Sequence, residues 1–216
     1  MIKTVTILFL IFLSGCSLKT PVNNWQYKSA NAYNSYTKNF LSDNEVLAKN
    51  DLSRATKHAK KSADLTQLAK VYLGECALNI SVGIEDNCEK YRNISSVVND
   101  KELDVYYQFI DSSIKENQVK YLPKRYHSFA YNILKKDFKN ANKDILNMKK
   151  PLSSFLCAGI IKEKIQRNTI QKIIDLASYR GYKRVVLFWL NESLKHTQNQ
   201  QELSKIRKKI LIMKSE

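Results

Sequence analysis

The sequence predicts an all-α fold, and three observations support this. From Trp25 onward, almost every segment repeats apolar residues at intervals of three or four, the period of a buried helix face. Short polar turns separate these segments, and the 216 residues contain only five glycines and three prolines. Residues 184–190 could form a buried strand, but no partner strand is visible. We therefore expect roughly ten or eleven helices.

The first two predicted helices form a hairpin. Trp25, Tyr33 and Phe40 share one face of the first helix, and lysines and asparagines occupy the other. The polar residues 42–44 end this helix and cap a second one over 45–61. The second helix aligns one apolar stripe: Val46, Leu52, Ala55, Ala59 and Ala63.

The next pair repeats this arrangement. A stripe marks a helix over 65–80, residues 81–86 interrupt it, and Asn87 can cap a further helix that ends at Val98. The stripe contains Leu65, Leu68, Ala69, Tyr72, Cys76 and Ile80. Cys76 and Cys88 therefore lie on either side of one turn.

The remaining helices follow from caps and stops. Asp100 can cap a helix over 100–114, Pro123 suits the first turn of a helix that ends at Leu134, and Pro151 closes the helix over 137–148. Four more segments complete the set: 152–166, 168–180, 182–196 and 200–213. Gly181 is well placed as a left-handed helix stop.

The spacing of about 35 to 40 residues per helix pair suggests stacked antiparallel hairpins. The segment Leu52 to Leu78 resembles a tetratricopeptide-type unit, with small alanines where helices pack closely and with Leu68 and Tyr72 between them. The Trp, Gly and Pro positions of that repeat do not recur. Two architectures therefore stay open: a degenerate α-solenoid and an irregular helical bundle.

The N-terminus resembles a bacterial lipoprotein signal. A basic start at Lys3 and the apolar run Val5 to Phe12 precede Leu13-Ser14-Gly15-Cys16, which resembles a lipobox. The run is roughly nine residues, too short for a membrane span of about 20. The resemblance implies a signal peptide over 1–15, a lipidated Cys16, a tether over 16–24 and one helical domain over 25–216.

The same resemblance implies a compartment. Ser17 follows the lipidated cysteine, which favours the periplasmic face of the outer membrane. In an oxidising compartment we expect a disulfide between Cys76 and Cys88, although all three remaining cysteines could instead be buried free thiols. Cys157 lies in an apolar run and is predicted to be a core residue.

The charge favours anionic partners. The formal net charge is +16, and processing removes only Lys3, which leaves about +15. Phospholipid, lipopolysaccharide and cell-wall polymer would suit this charge, whereas we expect no nucleic-acid partner. Alternatively, the positive charge reflects a general excess of Lys, Asn and Ile in the composition. Six lysines form the predicted anionic-partner site, here called the lysine patch: Lys135, Lys136, Lys139, Lys143, Lys149 and Lys150.

A second basic region lies on the last predicted helix. Leu203, Ile206, Ile210 and Met213 make an apolar stripe opposite its lysines. This stripe could lie at a membrane interface, but we expect it to pack on the body of the domain.

No motif in the sequence supports catalysis, a cofactor or a metal. No phosphate loop or nucleophile elbow occurs, and His58, His127 and His196 have no second ligand at zinc-helix spacing. Tyrosine is abundant, with twelve residues, and could either fill the core or form a peptide or glycan platform. We expect a non-enzymatic envelope lipoprotein that acts as a protein-interaction or assembly scaffold. The alternative is a binding module for peptidoglycan or lipopolysaccharide.

Overall fold

This computed structural model describes residues 24–215, and the regular secondary structure in this part of the chain is helical. The eleven α-helices of this part are α1 (Asn24–Leu41), α2 (Glu45–Ala59), α3 (Thr66–Ser81), α4 (Glu89–Val98), α5 (Lys101–Ile110), α6 (His127–Leu134), α7 (Phe138–Asn147), α8 (Pro151–Ile160), α9 (Arg167–Tyr179), α10 (Lys183–Lys195) and α11 (Gln200–Lys214). Three 3-10 helices occur at Glu116–Tyr121, Lys124–Tyr126 and Lys162–Lys164. The predicted all-α class is confirmed. The predicted signal peptide, Cys16 and all of the tether except Asn24 lie outside the described residues.

Several predicted caps occupy their expected places. The Asp100 carboxylate accepts hydrogen bonds from the backbone N–H groups of Glu102 and Leu103 at the start of α5. Gly181 has φ +67° between α9 and α10, the left-handed conformation that favours glycine. The helix boundaries differ near proline, because Pro151 begins α8 at its first turn instead of closing α7.

Other boundaries also differ from the prediction. Helix α5 ends at Ile110 rather than at residue 114, and Ser112 just beyond it has φ +59°. Cys88, with φ +54°, stands at the N-cap position of α4. The predicted cap Asn87 still contributes, because its side-chain oxygen accepts a hydrogen bond from the Glu89 backbone N–H.

Helix α3 lies at the centre of an irregular bundle. It packs against α1, α2, α4, α5 and α8, so both of its faces are covered. A Cβ atom added at Gly159 of α8 would lie 2.3 Å from the Ile80 carbonyl oxygen of α3, which shows how closely these two helices cross. In an α-solenoid each repeat contacts only its neighbours, whereas α3 and α8 are far apart in the chain. The bundle is therefore irregular.

The two ends of the described chain meet. Helix α1 packs against α10, and Arg184 of α10 forms ion pairs with Asp43 and Glu45, which flank the turn between α1 and α2. The Arg184 guanidinium also lies 4.3 Å from the centre of the Phe40 ring. One cluster of buried apolar side chains extends from Tyr36 in α1 to Ile210 in α11.

Some predicted helix faces are wrong. Val46 is 74% exposed and Ala63 lies exposed beyond α2, whereas Ala48 and Asp51 of α2 are buried against α1. The stripe on α11 is confirmed, because Ile206 and Ile210 are buried. No helix within residues 24–215 has both the length and the apolar character of a membrane span.

Candidate functional site

Cys76 and Cys88 form the disulfide that the sequence predicted. Their sulfur atoms lie 2.01 Å apart and join the end of α3 to the start of α4. Asp86 orders the intervening loop, since its carboxylate accepts hydrogen bonds from the Asn79 side chain and from the Cys88 backbone N–H. Cys157 is fully buried in α8, as predicted for a core residue.

An acidic cleft of about 560 Å³ surrounds this disulfide. Glu75, Glu85, Asp86 and Glu89 line it, and Lys90 forms an ion pair with Glu75. Asp86 and the two cysteines form the one group of potential metal ligands found within residues 24–215. Both cysteines are oxidised, so neither offers the thiolate that a metal requires.

The lysine patch follows helix α7 and is not a compact cluster. It consists of three exposed pairs: Lys135 and Lys136 before the first turn, Lys139 and Lys143 on the helix surface, and Lys149 and Lys150 beyond the last turn. The first and last pairs lie at opposite ends of a helix about 15 Å long. No lysine of the patch forms an ion pair with another residue in the described part of the chain.

The last of these lysine pairs belongs to a groove that combines aromatic and basic side chains. This groove has a volume of about 540 Å³ and lies between α1, α3, α5 and α8. Four tyrosines line it: Tyr33, Tyr106, Tyr126 and Tyr182. Four cations stand along its rim: Lys38, Arg125, Lys149 and Lys150. We call it the tyrosine groove.

Small residues and hydrogen bonds position the tyrosines. The Tyr33 hydroxyl occupies the space beside Gly74 of α3, where an added Cβ atom would lie 2.1 Å from its oxygen. The Tyr126 hydroxyl lies 3.1 Å from the Ser153 hydroxyl at the start of α8. The Arg125 guanidinium lies 4.9 Å from the centre of the Tyr126 ring, an attractive cation–π distance.

The charge of the groove is one-sided. No aspartate or glutamate lines it, and the four rim cations form no ion pair within residues 24–215. Burial raises the pKa of the Tyr33 and Tyr106 hydroxyls well above the usual range, so both are neutral at physiological pH. The groove therefore combines positive charge with neutral hydrogen-bonding groups.

The lining of the groove combines three kinds of side chain: tyrosines, aliphatic residues and cations. No histidine, cysteine or carboxylate is among the residues that line it. Aromatic rings, aliphatic side chains and positive charge are the composition of a recognition surface. The abundance of tyrosine left core packing and a binding platform both open, and no local pattern indicates that Tyr33 and Tyr182 line one groove.

Two other tyrosines and His127 lie outside the groove. Tyr36 is buried in the core and Tyr27 is exposed on α1, so neither contributes to the groove. His127 contacts the Leu122 carbonyl oxygen at 2.8 Å, which gives this histidine a local structural role.

No protein-family model, no curated protein and no solved structure matches this chain.

Proposed function

We propose that this protein is a lipid-anchored envelope lipoprotein whose helical domain is a non-enzymatic interaction scaffold. The tyrosine groove is its binding site for a protein partner. The lipid on Cys16 holds the domain at the periplasmic face of the outer membrane, and the short tether keeps the groove near that membrane.

The observation that supports this function most strongly is the composition of the tyrosine groove. Tyrosine and arginine are over-represented among the residues that dominate protein–protein binding energy. The groove presents four tyrosines and Arg125 around a concavity with aliphatic side chains in its walls. Leu152 at the rim is 45% exposed, a suitable contact for an apolar side chain of a partner.

Site-specific photo-crosslinking in intact cells tests the binding site. A photoreactive amino acid in place of Leu152 should form an adduct with a partner protein. The control position is Tyr179 on α9, which is 88% exposed and does not line the groove. An adduct pattern that is the same at both positions, or no protein adduct at position 152, would contradict the proposed function.

The intact mass of the protein extracted from its native membrane tests the anchor. We expect a chain that begins at Cys16 and carries acyl groups, each contributing about 0.8 kcal/mol of membrane affinity per buried CH₂. A chain that retains residues 1–15 without a fatty modification would contradict the anchor and the compartment.

The lysine patch favours a second candidate function, binding to peptidoglycan or lipopolysaccharide. Its lysines are exposed and have no acidic partners in the described part of the chain. Salt-sensitive co-sedimentation with either purified polymer should weaken when Lys139 and Lys143 are both changed to glutamate. Reversal of Lys205 and Lys208 on α11 makes the same change in net charge and is the control. Equal binding by both variants would exclude the patch.

A further inference from the structure

The tyrosine groove has an excess of positive charge that a partner must neutralise. Its four rim cations border a concavity that no carboxylate lines. Low-dielectric walls focus the field of charges that line a cleft, and this raises the local concentration of oppositely charged ligands. The electrostatics therefore favour an anionic occupant.

The start of α8 adds to this positive field. Lys149 and Lys150 lead directly into the helix, Pro151 occupies its first position, and no side chain caps it. The positive end of the helix dipole points to the same rim as the two lysines. The cations and the dipole thus act on one end of the groove.

The walls of the groove are apolar, which limits the kind of anion that fits. Leu78 and Leu156 lie in its walls, and the half-exposed Leu152 stands at its edge. A carbohydrate polymer presents hydroxyl groups throughout and has no aliphatic side chains with which to cover these leucines. Leu78 and Leu156 are already buried, so an anion with its own aliphatic groups would gain chiefly by covering Leu152, at about 25 cal/mol per Å² of apolar surface buried.

Polar residues line the groove beside the apolar ones: Tyr33, Asn34, Tyr106 and Ser153. The Asn34 side chain is exposed, and an amide both donates and accepts hydrogen bonds. A peptide backbone offers matching donors and acceptors at every residue, whereas an acyl chain would leave these groups without partners. The lining therefore favours a peptide over a lipid.

We propose that the tyrosine groove binds an acidic segment of the partner protein, in which aliphatic side chains are flanked by carboxylates. The aliphatic groups contact Leu152 at the edge of the groove, and the carboxylates lie at the rim beside Arg125, Lys149 and Lys150. This inference rests on the proposed function and names the chemistry of the partner.

Binding of short peptides to the full chain, solubilised in detergent, tests the inference by fluorescence anisotropy. The probe is a labelled, terminally blocked peptide in which leucines are flanked by glutamates. A second peptide replaces the glutamates with glutamines, and a third replaces the leucines with serines. Polygalacturonate, a carboxylated polysaccharide without aliphatic side chains, serves as a competitor.

We expect the glutamate–leucine peptide to bind and both altered peptides to bind at least about tenfold more weakly. Reversal of Lys149 and Lys150 to glutamate should weaken binding by a similar factor. Lys208→Glu with Lys209→Glu on α11 changes the net charge equally at exposed positions outside the groove, and should leave affinity within about twofold. Because all four lysines are exposed, we expect both variants to keep the wild-type helical circular dichroism.

Three results would overturn the inference. These are equal binding of either altered peptide, equal loss in the two charge-reversal variants, and displacement of the bound glutamate–leucine peptide by polygalacturonate at an equal carboxylate concentration. If helical content falls in the first variant, Lys149→Gln with Lys150→Gln replaces it under the same criteria. A protein adduct from position 152 together with no binding of the acidic peptide would overturn the inference and leave the proposed function standing. If neither a protein adduct at position 152 nor peptide binding is observed, both the inference and the proposed function are overturned.

Discussion

Several tyrosines of this protein are held in surroundings that oppose ionisation. Tyr91 is 1% exposed, and its hydroxyl donates a hydrogen bond to Asp104 at 2.5 Å. Burial, together with this carboxylate, raises the pKa of Tyr91 well above its ordinary value. Burial likewise raises the pKa of Tyr33, Tyr36 and Tyr106.

These pKa shifts predict a loss of stability at alkaline pH. A group whose folded pKa exceeds its unfolded value of about 10 binds more protons in the folded state above that pH, so the free energy of unfolding falls as pH rises. Urea unfolding at increasing pH should show this decline beginning near pH ~10. The Tyr91→Phe variant removes one of these groups and should show a shallower decline. A stability that is constant through this range would contradict the prediction.

Asn142 shows which residue roles the sequence did not reveal. This side chain on α7 is fully buried and forms three hydrogen bonds. Its amide nitrogen donates to the carbonyls of Phe138 and Lys164, and its oxygen accepts from the Gln166 N–H. Asparagine is abundant in this chain and is usually exposed. Nothing in the local pattern distinguishes this buried asparagine from the exposed ones.

At the scale of elements, the disulfide joins the central helix α3 to α4, a helix with little buried surface of its own. Helix α4 is only ten residues long and buries one residue, Tyr91. Closing a loop over a sequence separation of 12 contributes about 3 kcal/mol in the chain-entropy model. Replacing Cys76 and Cys88 with alanine should therefore lower the free energy of unfolding by about that amount.

Thermal unfolding with and without a reducing agent separates this effect from changes in packing. Reduction should lower the melting temperature of the wild type and leave that of the double variant unchanged. A melting temperature of the wild type that does not respond to complete reduction, verified by thiol titration, would contradict a stabilising role for the bridge.

The crossing of α3 and α8 depends on the absence of a side chain at Gly159. An added Cβ atom would meet the Ile80 carbonyl oxygen at 2.3 Å, and backbone cannot move aside as the end of a side chain can. We expect Gly159→Ala to cost about 2 kcal/mol or more in urea unfolding. Gly181→Ala is the matched control, because no atom lies within 4 Å there and only its positive φ opposes alanine, at about 1 kcal/mol. A smaller loss at Gly159 than at Gly181 would show that the helices can separate easily.

Local sequence patterns predicted where the helices lie better than they predicted which face of each helix is buried. The apolar period located the helices, since it reflects burial of one side. Asp100 marked a helix start because its carboxylate caps free backbone N–H groups, and Gly181 marked a helix end because its positive φ favours glycine. The apolar period did not identify all of the buried residues of α3, because Val71 and Leu73 are buried as well as Leu68 and Ala69. A helix with neighbours on both sides has no single apolar stripe.

At the scale of the whole molecule, the packing of distant helices was beyond local patterns. Hairpins between neighbouring helices follow from short turns, but the pairing of α3 with α8 depends on shape and on one glycine. The tyrosine groove has the same origin, because Tyr33 and Tyr182 meet only after the bundle closes. The disulfide was predictable because its cysteines are close in sequence as well as in space.

Arg184 tests how firmly the two ends of the bundle are joined. Its guanidinium forms an ion pair with Glu45 across a separation of 139 residues, forms a second with Asp43 and stacks on Phe40, and its side chain is 17% exposed. Arg184→Ala removes both ion pairs and the stacking contact, so we expect a loss of about 1–3 kcal/mol in urea unfolding.

Arg184→Lys should recover little of this loss, because an ammonium cannot stack on the ring and contact two carboxylates with a planar fork. Arg180→Ala is the control, since Arg180 is exposed and forms no ion pair within residues 24–215. A double-mutant cycle with Glu45→Gln measures how much the Arg184–Glu45 ion pair contributes to the free energy of unfolding. We expect this contribution to be small because the Glu45 side chain is 73% exposed. Equal unfolding of the Arg184 and Arg180 variants would mean that apolar packing of α1 on α10 alone holds the ends together.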